Sequence, residues 1–151
     1  MTALQQLSQV IYDWPASTAL RESDVVFPLI ETVHVLAISL IAGTILTVDL
    51  RVVGLIFRDE PLTRISRALL PYTWCGFALM AITGLPLLAA EAAKLYFNPA
   101  FRVKLLLLGL AGVNALLFHR TVQPRVFAVT SIVLWSGIII SGRLIAVFHG
   151  H

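Results

Sequence analysis

Two ionisable side chains near the start of the first long apolar segment form a candidate site. Glu31 and His34 are three residues apart, so they share one face of a helix. At 1.5 Å per residue His34 would lie roughly 10 Å inside a membrane, and Arg143 on the last apolar segment reaches a similar depth. Ionisable groups at such depth are expensive and mark candidate sites. We predict a buried pair of Glu31 and Arg143 with His34 beneath it, which either fixes helix register or holds a ligand.

Small residues lie at a similar level on the other apolar segments. They are Gly84, Gly109, Gly112 and Gly142. Small residues allow membrane helices to pack closely, but they would equally leave room for a flat macrocycle. In that second interpretation the cofactor is haem b: His34 is an axial iron ligand, Arg143 neutralises a propionate, and Glu31 accepts a hydrogen bond or balances the arginine.

His119, near the end of the third segment, is a second candidate metal ligand. Its depth differs from that of His34 by roughly 16 Å at the helical rise. One haem held by both within a chain therefore fits poorly, and two sites or a ligand from a partner chain would be needed. His119 could equally be an interfacial residue, and Met80 is a further candidate ligand. His149 and His151 suit copper or zinc weakly, so a metal ion is the alternative cofactor.

The composition limits the class of protein. Of the 151 residues, 58% are hydrophobic and 13% charged, whereas a soluble domain carries about 25% charged residues. A soluble globule and a disordered chain are excluded, and the single cysteine excludes a disulfide scaffold. The few, scattered basic residues do not form a nucleic-acid-binding patch.

Four apolar stretches are long enough to cross a hydrocarbon core about 30 Å thick. They cover about residues 28–50, 69–90, 101–119 and 126–148. Short connections predict that consecutive helices are antiparallel neighbours. The expected fold is therefore all-α: one transmembrane domain over residues 1–151, built as an up-down-up-down four-helix bundle.

Residues 1–27 have a different pattern. Leu4, Leu7, Val10, Ile11 and Trp14 recur at helical spacing in an otherwise polar stretch. This predicts a short amphipathic helix in the membrane interface. We expect no cleavable secretory signal, because the first long apolar run is also the first span.

The distribution of basic residues predicts the orientation. The first loop and its flanks carry four arginines, at positions 51, 58, 64 and 67. This places that loop in the cytoplasm and both termini on the outer side. Lys94, Arg102 and Lys104 then fall on the outer side and reduce the bias; the long side chains of the last two would snorkel to the interface.

Two uncharged polar residues within the spans have packing interpretations. Asn114 lies mid-helix and must find a hydrogen-bond partner, so we expect it to tie the third span to a neighbour. Cys75 is expected to be a packing thiol.

Several short motifs together resemble a known family. They are Glu31-Thr-Val-His34, the stretch from Gly43 through Asp49-Leu-Arg51 to Gly54, Trp74-Cys-Gly76-Phe77 with Thr83-Gly84, and Asn98-Pro99, Phe101 and Lys104 with Asn114 and His119. The pattern covers most of residues 28–120. It is similar to that of small four-helix proteins of the bacterial inner membrane known only as a domain of unknown function. More distantly, the chain is similar to membrane b-type cytochromes and copper-resistance membrane proteins, which implies that His34 and His119 are haem ligands.

The leading prediction is a b-type haem protein of the bacterial inner membrane that carries electrons and does not transform a substrate. Its expected partners are the lipid bilayer, further copies of itself in a homo-oligomer, and a redox protein or quinone. Two other functions stay open. One is a binding or transport module for a metal ion or small solute, and the other is a structural membrane subunit without a cofactor.

Overall fold

The computed structural model describes residues 3–118 and 124–147, and every regular element within them is an α-helix. The helices are α1 (Ala3–Tyr12), α2 (Pro15–Arg21), α3 (Val26–Val53), α4 (Leu62–Ala90), α5 (Ala92–Phe97), α6 (Pro99–Phe118) and α7 (Pro124–Val147). Helices α3, α4, α6 and α7 are each long and apolar enough to cross a membrane. The predicted all-α fold with four spans is confirmed.

The second span begins earlier than the sequence pattern predicts. Helix α4 starts at Leu62, after Pro61 in an extended conformation, instead of near residue 69. Pro71 consequently lies inside the helix, as does Pro86. Prolines are tolerated within membrane helices because neighbouring groups satisfy the carbonyls they leave free. Helix α3 ends at Val53 and is followed by Gly54, whose φ of 88° is left-handed and favours glycine.

The four spans form two antiparallel pairs. His34 and Thr44 of α3 contact Thr83 and Thr73 of α4 respectively, so the two helices run in opposite directions. Helices α6 and α7 form the second pair, and α3 joins the pairs by packing against α7. In the described ranges no Cα of α4 comes within 8 Å of one in α6. Consecutive spans are thus neighbours except for α4 and α6, between which α5 intervenes.

The core lies where α3, α6 and α7 meet. Ile41 and Ile138 are the largest fully buried side chains, and Ala42, Ala111 and Trp135 pack with them. Many large apolar side chains on the outer faces are exposed instead, as is normal where a helix faces lipid. Cys75 is also exposed, so the expected packing role is wrong.

Short helices cover one end of the bundle. The predicted N-terminal amphipathic helix is present but breaks in two at Trp14, because Trp14 is extended and Pro15 begins α2. Arg21 at the end of α2 donates hydrogen bonds to the carbonyls of Ala90 (2.9 Å) and Tyr12 (3.2 Å), and its guanidinium lies 3.8 Å from the Tyr12 ring centroid. Arg21 therefore links α1 and α2 to the last turn of α4.

Two asparagines connect α6 to α7. Asn98 accepts a hydrogen bond from the Phe101 amide (3.2 Å), which caps α6, and donates to the carbonyl of Ile145 (3.1 Å). Near the other end of α6, the Asn114 amide donates to the carbonyl of Phe127 (3.1 Å). The prediction that Asn114 ties its helix to a neighbour is confirmed.

Candidate functional site

A cavity of about 450 Å³ lies at the end of the bundle that holds the first turns of α3. We call it the His34 cavity. Residues of five helices, α3 to α7, line it, and its polar or small members include Glu31, His34, Gly84, Lys104, Gly142 and Arg143. Four of the residues predicted from sequence as cofactor contacts besides His34 are therefore brought to one cavity: Glu31, Gly84, Gly142 and Arg143.

The protonation of His34 follows from its contact with α4. Nδ1 of His34 lies 2.9 Å from Oγ1 of Thr83. The Thr83 hydroxyl has one proton, and it donates that proton to the carbonyl of Leu79 at 2.6 Å. Its oxygen must then accept from His34, so Nδ1 carries the hydrogen. In the neutral ring Nε2 is left with a free lone pair, which is the state in which histidine binds a metal.

Gly84 gives the imidazole its space. A Cβ at this position would lie 3.0 Å from Cε1 of His34 and 3.5 Å from Nδ1. Gly84 thus leaves room for the histidine ring itself, whereas the sequence predicted that it leaves room for a macrocycle. The edge of the ring that carries Nδ1 and Cε1 consequently lies against α4.

Three cationic side chains line the cavity with His34, and one of them, Lys94 of α5, is paired with Glu91. Arg143 comes from α7 and Lys104 from α6, and a Cβ on Gly142 would lie 3.9 Å from Nζ of Lys104. Lys104 was expected to snorkel to the interface, yet it is partly buried and faces the cavity. Lys104 lies about one turn inside α6, after the cap at Asn98. This position is the feature of the sequence from which its partial burial could have been predicted.

The predicted ion pair of Glu31 and Arg143 is not formed. Both residues are exposed, and the salt bridges within the described chain are Glu60 with Arg64 and Glu91 with Lys94. Arginine and glutamate are long enough to reach water from the end of a helix, which avoids the desolvation that a buried pair would require. Glu31 and Arg143 therefore stay available to a ligand.

Other sequence candidates lie elsewhere. Gly109 is exposed, and Gly112 lines a second cavity toward the opposite end of the bundle. Met80 also lines that second cavity. His119, His149 and His151 fall outside the described residues. Among residues 3–118 and 124–147, no three His, Cys, Asp or Glu side chains are grouped to hold a metal ion.

The second cavity, of about 630 Å³, is larger and was not predicted. We call it the Asp49 cavity. Asp49 of α3 is only 5% exposed, and the Ser131 side chain of α7 is placed to hydrogen-bond its carboxylate. The burial of Asp49 was not predicted, because the depth of a residue along a span does not show which helix faces its side chain.

Comparison with known proteins gives a family but no activity. No curated protein and no solved structure matches the chain. A family profile matches residues 23–148, which covers all four spans. The chain belongs to this family, a family of unknown function designated DUF6644.

Proposed function

We propose that the His34 cavity binds haem b and that the protein carries electrons within a bacterial inner membrane. The observation that carries the proposal is the hydrogen-bond order at His34. Because Thr83 accepts from Nδ1, Nε2 is free to ligate iron. Haem iron held by histidine can alternate between the ferrous and ferric states, which is the chemistry that a one-electron carrier requires.

The charges around the cavity suit the two propionates of haem. Lys104 and Arg143 line the same cavity as His34 and come from two other helices. A propionate carboxylate in a partly desolvated cavity needs a cationic or hydrogen-bonding partner, and each of these side chains supplies one. Glu31, at the same cavity, balances the excess positive charge. The rest of the lining is mainly apolar, as the macrocycle requires.

One axial position remains for another group. The sequence candidate Met80 lines the Asp49 cavity, and within the described chain His34 is the one histidine. The four spans also leave large apolar surfaces outward. A homo-oligomer in which a second copy supplies the sixth ligand accounts for both features, with His119 as the alternative ligand or as the ligand of a second haem.

The arginines of the first loop predict the orientation of the protein in the membrane. They put that loop in the cytoplasm and both termini outside. The His34 cavity is then at the outer face. A redox protein of that compartment, or a quinone in the membrane, would exchange electrons with it.

The test is a reduced-minus-oxidised spectrum with pyridine haemochrome quantification of the protein purified in detergent from haem-replete cells. We expect a b-type spectrum that His34→Ala abolishes while the protein still inserts in the membrane. One haem per two chains would assign the sixth ligand to His34 of a second copy. A fall to half the haem content in His119→Ala would assign a second haem to His119.

Two results would contradict the haem proposal. A featureless spectrum of the wild-type protein would exclude it. Copper or another metal bound without porphyrin, and lost in His34→Ala, would replace haem by the metal-binding alternative, because a free Nε2 also suits copper.

A further inference from the structure

The Asp49 cavity lies in a cleft between two helices that do not meet. Both α4 and α6 line it, yet in the described ranges their backbones stay more than 8 Å apart at every Cα pair. Trp74 on the α4 side and Leu116 on the α6 side line the cavity and are 66% and 72% exposed. Since all these helices are membrane spans, the cleft opens sideways to the hydrocarbon of the bilayer.

Asp49 lines this cavity and has a polar atom without a hydrogen-bond partner among the described residues. Oδ2 of Asp49 is buried and makes no hydrogen bond within the described chain. A buried carboxylate oxygen without a donor is unfavourable, and buried polar atoms left in this state need an explanation. The other side of the carboxylate faces Ser131.

The neighbouring polar side chains are already engaged with the protein. Thr73 donates to Oγ1 of Thr44 (2.9 Å), and Thr44 donates to the carbonyl of Ile41 (2.9 Å). The Asn114 amide donates to a backbone carbonyl of α7. Asp49 is therefore the group in the cavity that still requires a donor.

The other walls favour a flat apolar molecule. Phe77, Trp135 and Trp74 line the cavity from α4 and α7, and most of the remaining lining is aliphatic. Aromatic side chains stack on planar rings. A metal ion does not fit, because no group of three metal-binding side chains exists among the described residues. A phospholipid acyl chain would fill the space but offers no donor to Asp49.

We propose that the Asp49 cavity binds a lipid-soluble hydroquinone, whose ring lies between the aromatic walls and whose hydroxyl donates to the Asp49 carboxylate. The ligand enters from the bilayer through the cleft between α4 and α6. The site is independent of the His34 cavity: His34 and Asp49 are separated by about 22 Å along α3. The hydroquinone proposal can therefore be tested independently of the haem proposal.

Tryptophan fluorescence provides the test, because two of the three tryptophans line the cavity. In a Trp14→Phe background, the purified protein is titrated with reduced decylubiquinone and, separately, with the oxidised form. We expect saturable quenching and at least about tenfold tighter binding of the hydroquinone, since one charge-assisted hydrogen bond is at stake. The oxidised form can only accept hydrogen bonds and meets a carboxylate that also only accepts. Asp49→Leu should remove this preference.

A matched pair of α6 variants controls for folding and for partition into detergent. A Cβ on Gly112 or on Gly109 would meet nothing within 4 Å, but Gly112 lines the cavity and Gly109 does not. Gly112→Phe should abolish saturable quenching and Gly109→Phe should leave it unchanged. The same titration in His34→Ala, which lacks haem under the first proposal, should still show binding.

Three outcomes would overturn the hydroquinone proposal. They are equal quenching in the two glycine variants, tighter binding of the oxidised form, and a hydroquinone preference that survives in Asp49→Leu.

Discussion

At the scale of single residues, the hydroxyl of Thr83 determines which nitrogen of His34 is free. A threonine within a helix commonly donates to the carbonyl one turn back, and Thr83 does so to Leu79. The lone pair left on its oxygen then faces Nδ1. The helix backbone of α4 therefore selects the tautomer of a side chain on α3. This coupling between two helices is what we expect mutations at Thr83 to break.

Thr83→Val should weaken haem binding while keeping the shape of the side chain. Loss of a hydrogen-bond partner behind a metal-binding histidine typically lowers affinity about 10- to 100-fold. Haem titration of the apoprotein, followed by Soret absorbance, measures the effect. Thr73→Val is the control, because it removes a hydrogen bond of the same kind between the same two helices, at Thr44. Equal affinities in both variants would show that Thr83 does not position the ligand.

Gly84→Ala should displace the imidazole, since a Cβ there would lie 3.0 Å from Cε1. We expect a large loss of bound haem from the purified variant. Gly142→Ala lines the same cavity but would meet its nearest neighbour, Nζ of Lys104, at an ordinary 3.9 Å. Its haem content should stay close to that of the wild type. The reverse order of the two variants would mean that the glycine on α7, and not the one on α4, governs access to the ligand.

At the scale of helices, α3 and α4 approach each other closely at Gly76. A Cβ at Gly76 would lie 2.7 Å from Cγ1 of Ile41 and 3.3 Å from the carbonyl oxygen of Ala37. Close backbone approach at small residues is how membrane helices gain packing energy in the absence of a hydrophobic drive. Gly76 is therefore central to the pair of helices that carries both His34 and Asp49.

Gly76→Ala should destabilise the bundle by about 1–3 kcal/mol, the usual effect of overpacking. Thermal or SDS-induced unfolding in detergent, followed by circular dichroism, measures it. The control is Gly43→Ala on α3, where a Cβ would meet nothing within 4 Å. That change should be neutral or stabilise by up to about 1 kcal/mol, because alanine is the better helix former. Equal destabilisation by both would place the cause in the helices themselves and not in their contact.

The sequence predicted the spans and the antiparallel pairing of α3 with α4 and of α6 with α7, but not the separation of α4 from α6. Long apolar runs identify membrane helices because the bilayer core has a fixed thickness. Neighbour relations depend instead on which face of each helix packs, and helices that are apolar all round carry little such information. The gap between α4 and α6 and the burial of Asp49 were missed for this reason. His34 was identified because a charged or titratable group inside a span is unusual in itself.

At the scale of the whole molecule, polar chemistry is concentrated at two cavities near opposite ends of a bundle whose outside is apolar. The His34 cavity lies between α5 and the four spans, at the end that holds the first turns of α3, and the Asp49 cavity opens between α4 and α6. Which cavity faces which compartment depends on the orientation of α3. The basic residues near the His34 end count less in predicting the orientation than their number suggests, because Lys104 faces a cavity and Lys94 pairs with Glu91.

Single cysteines on either side of α3 would determine that orientation. In a Cys75→Ser background, Asp24→Cys and Asp59→Cys place one exposed thiol before α3 and one after it. The arginines of the first loop predict that a membrane-impermeant maleimide labels Asp24→Cys in intact spheroplasts and labels Asp59→Cys only after lysis. Detergent-solubilised protein, in which both thiols should react, is the control for reactivity. The opposite pattern would place the His34 cavity at the cytoplasmic face and would require a cytoplasmic redox partner for any electron carried there.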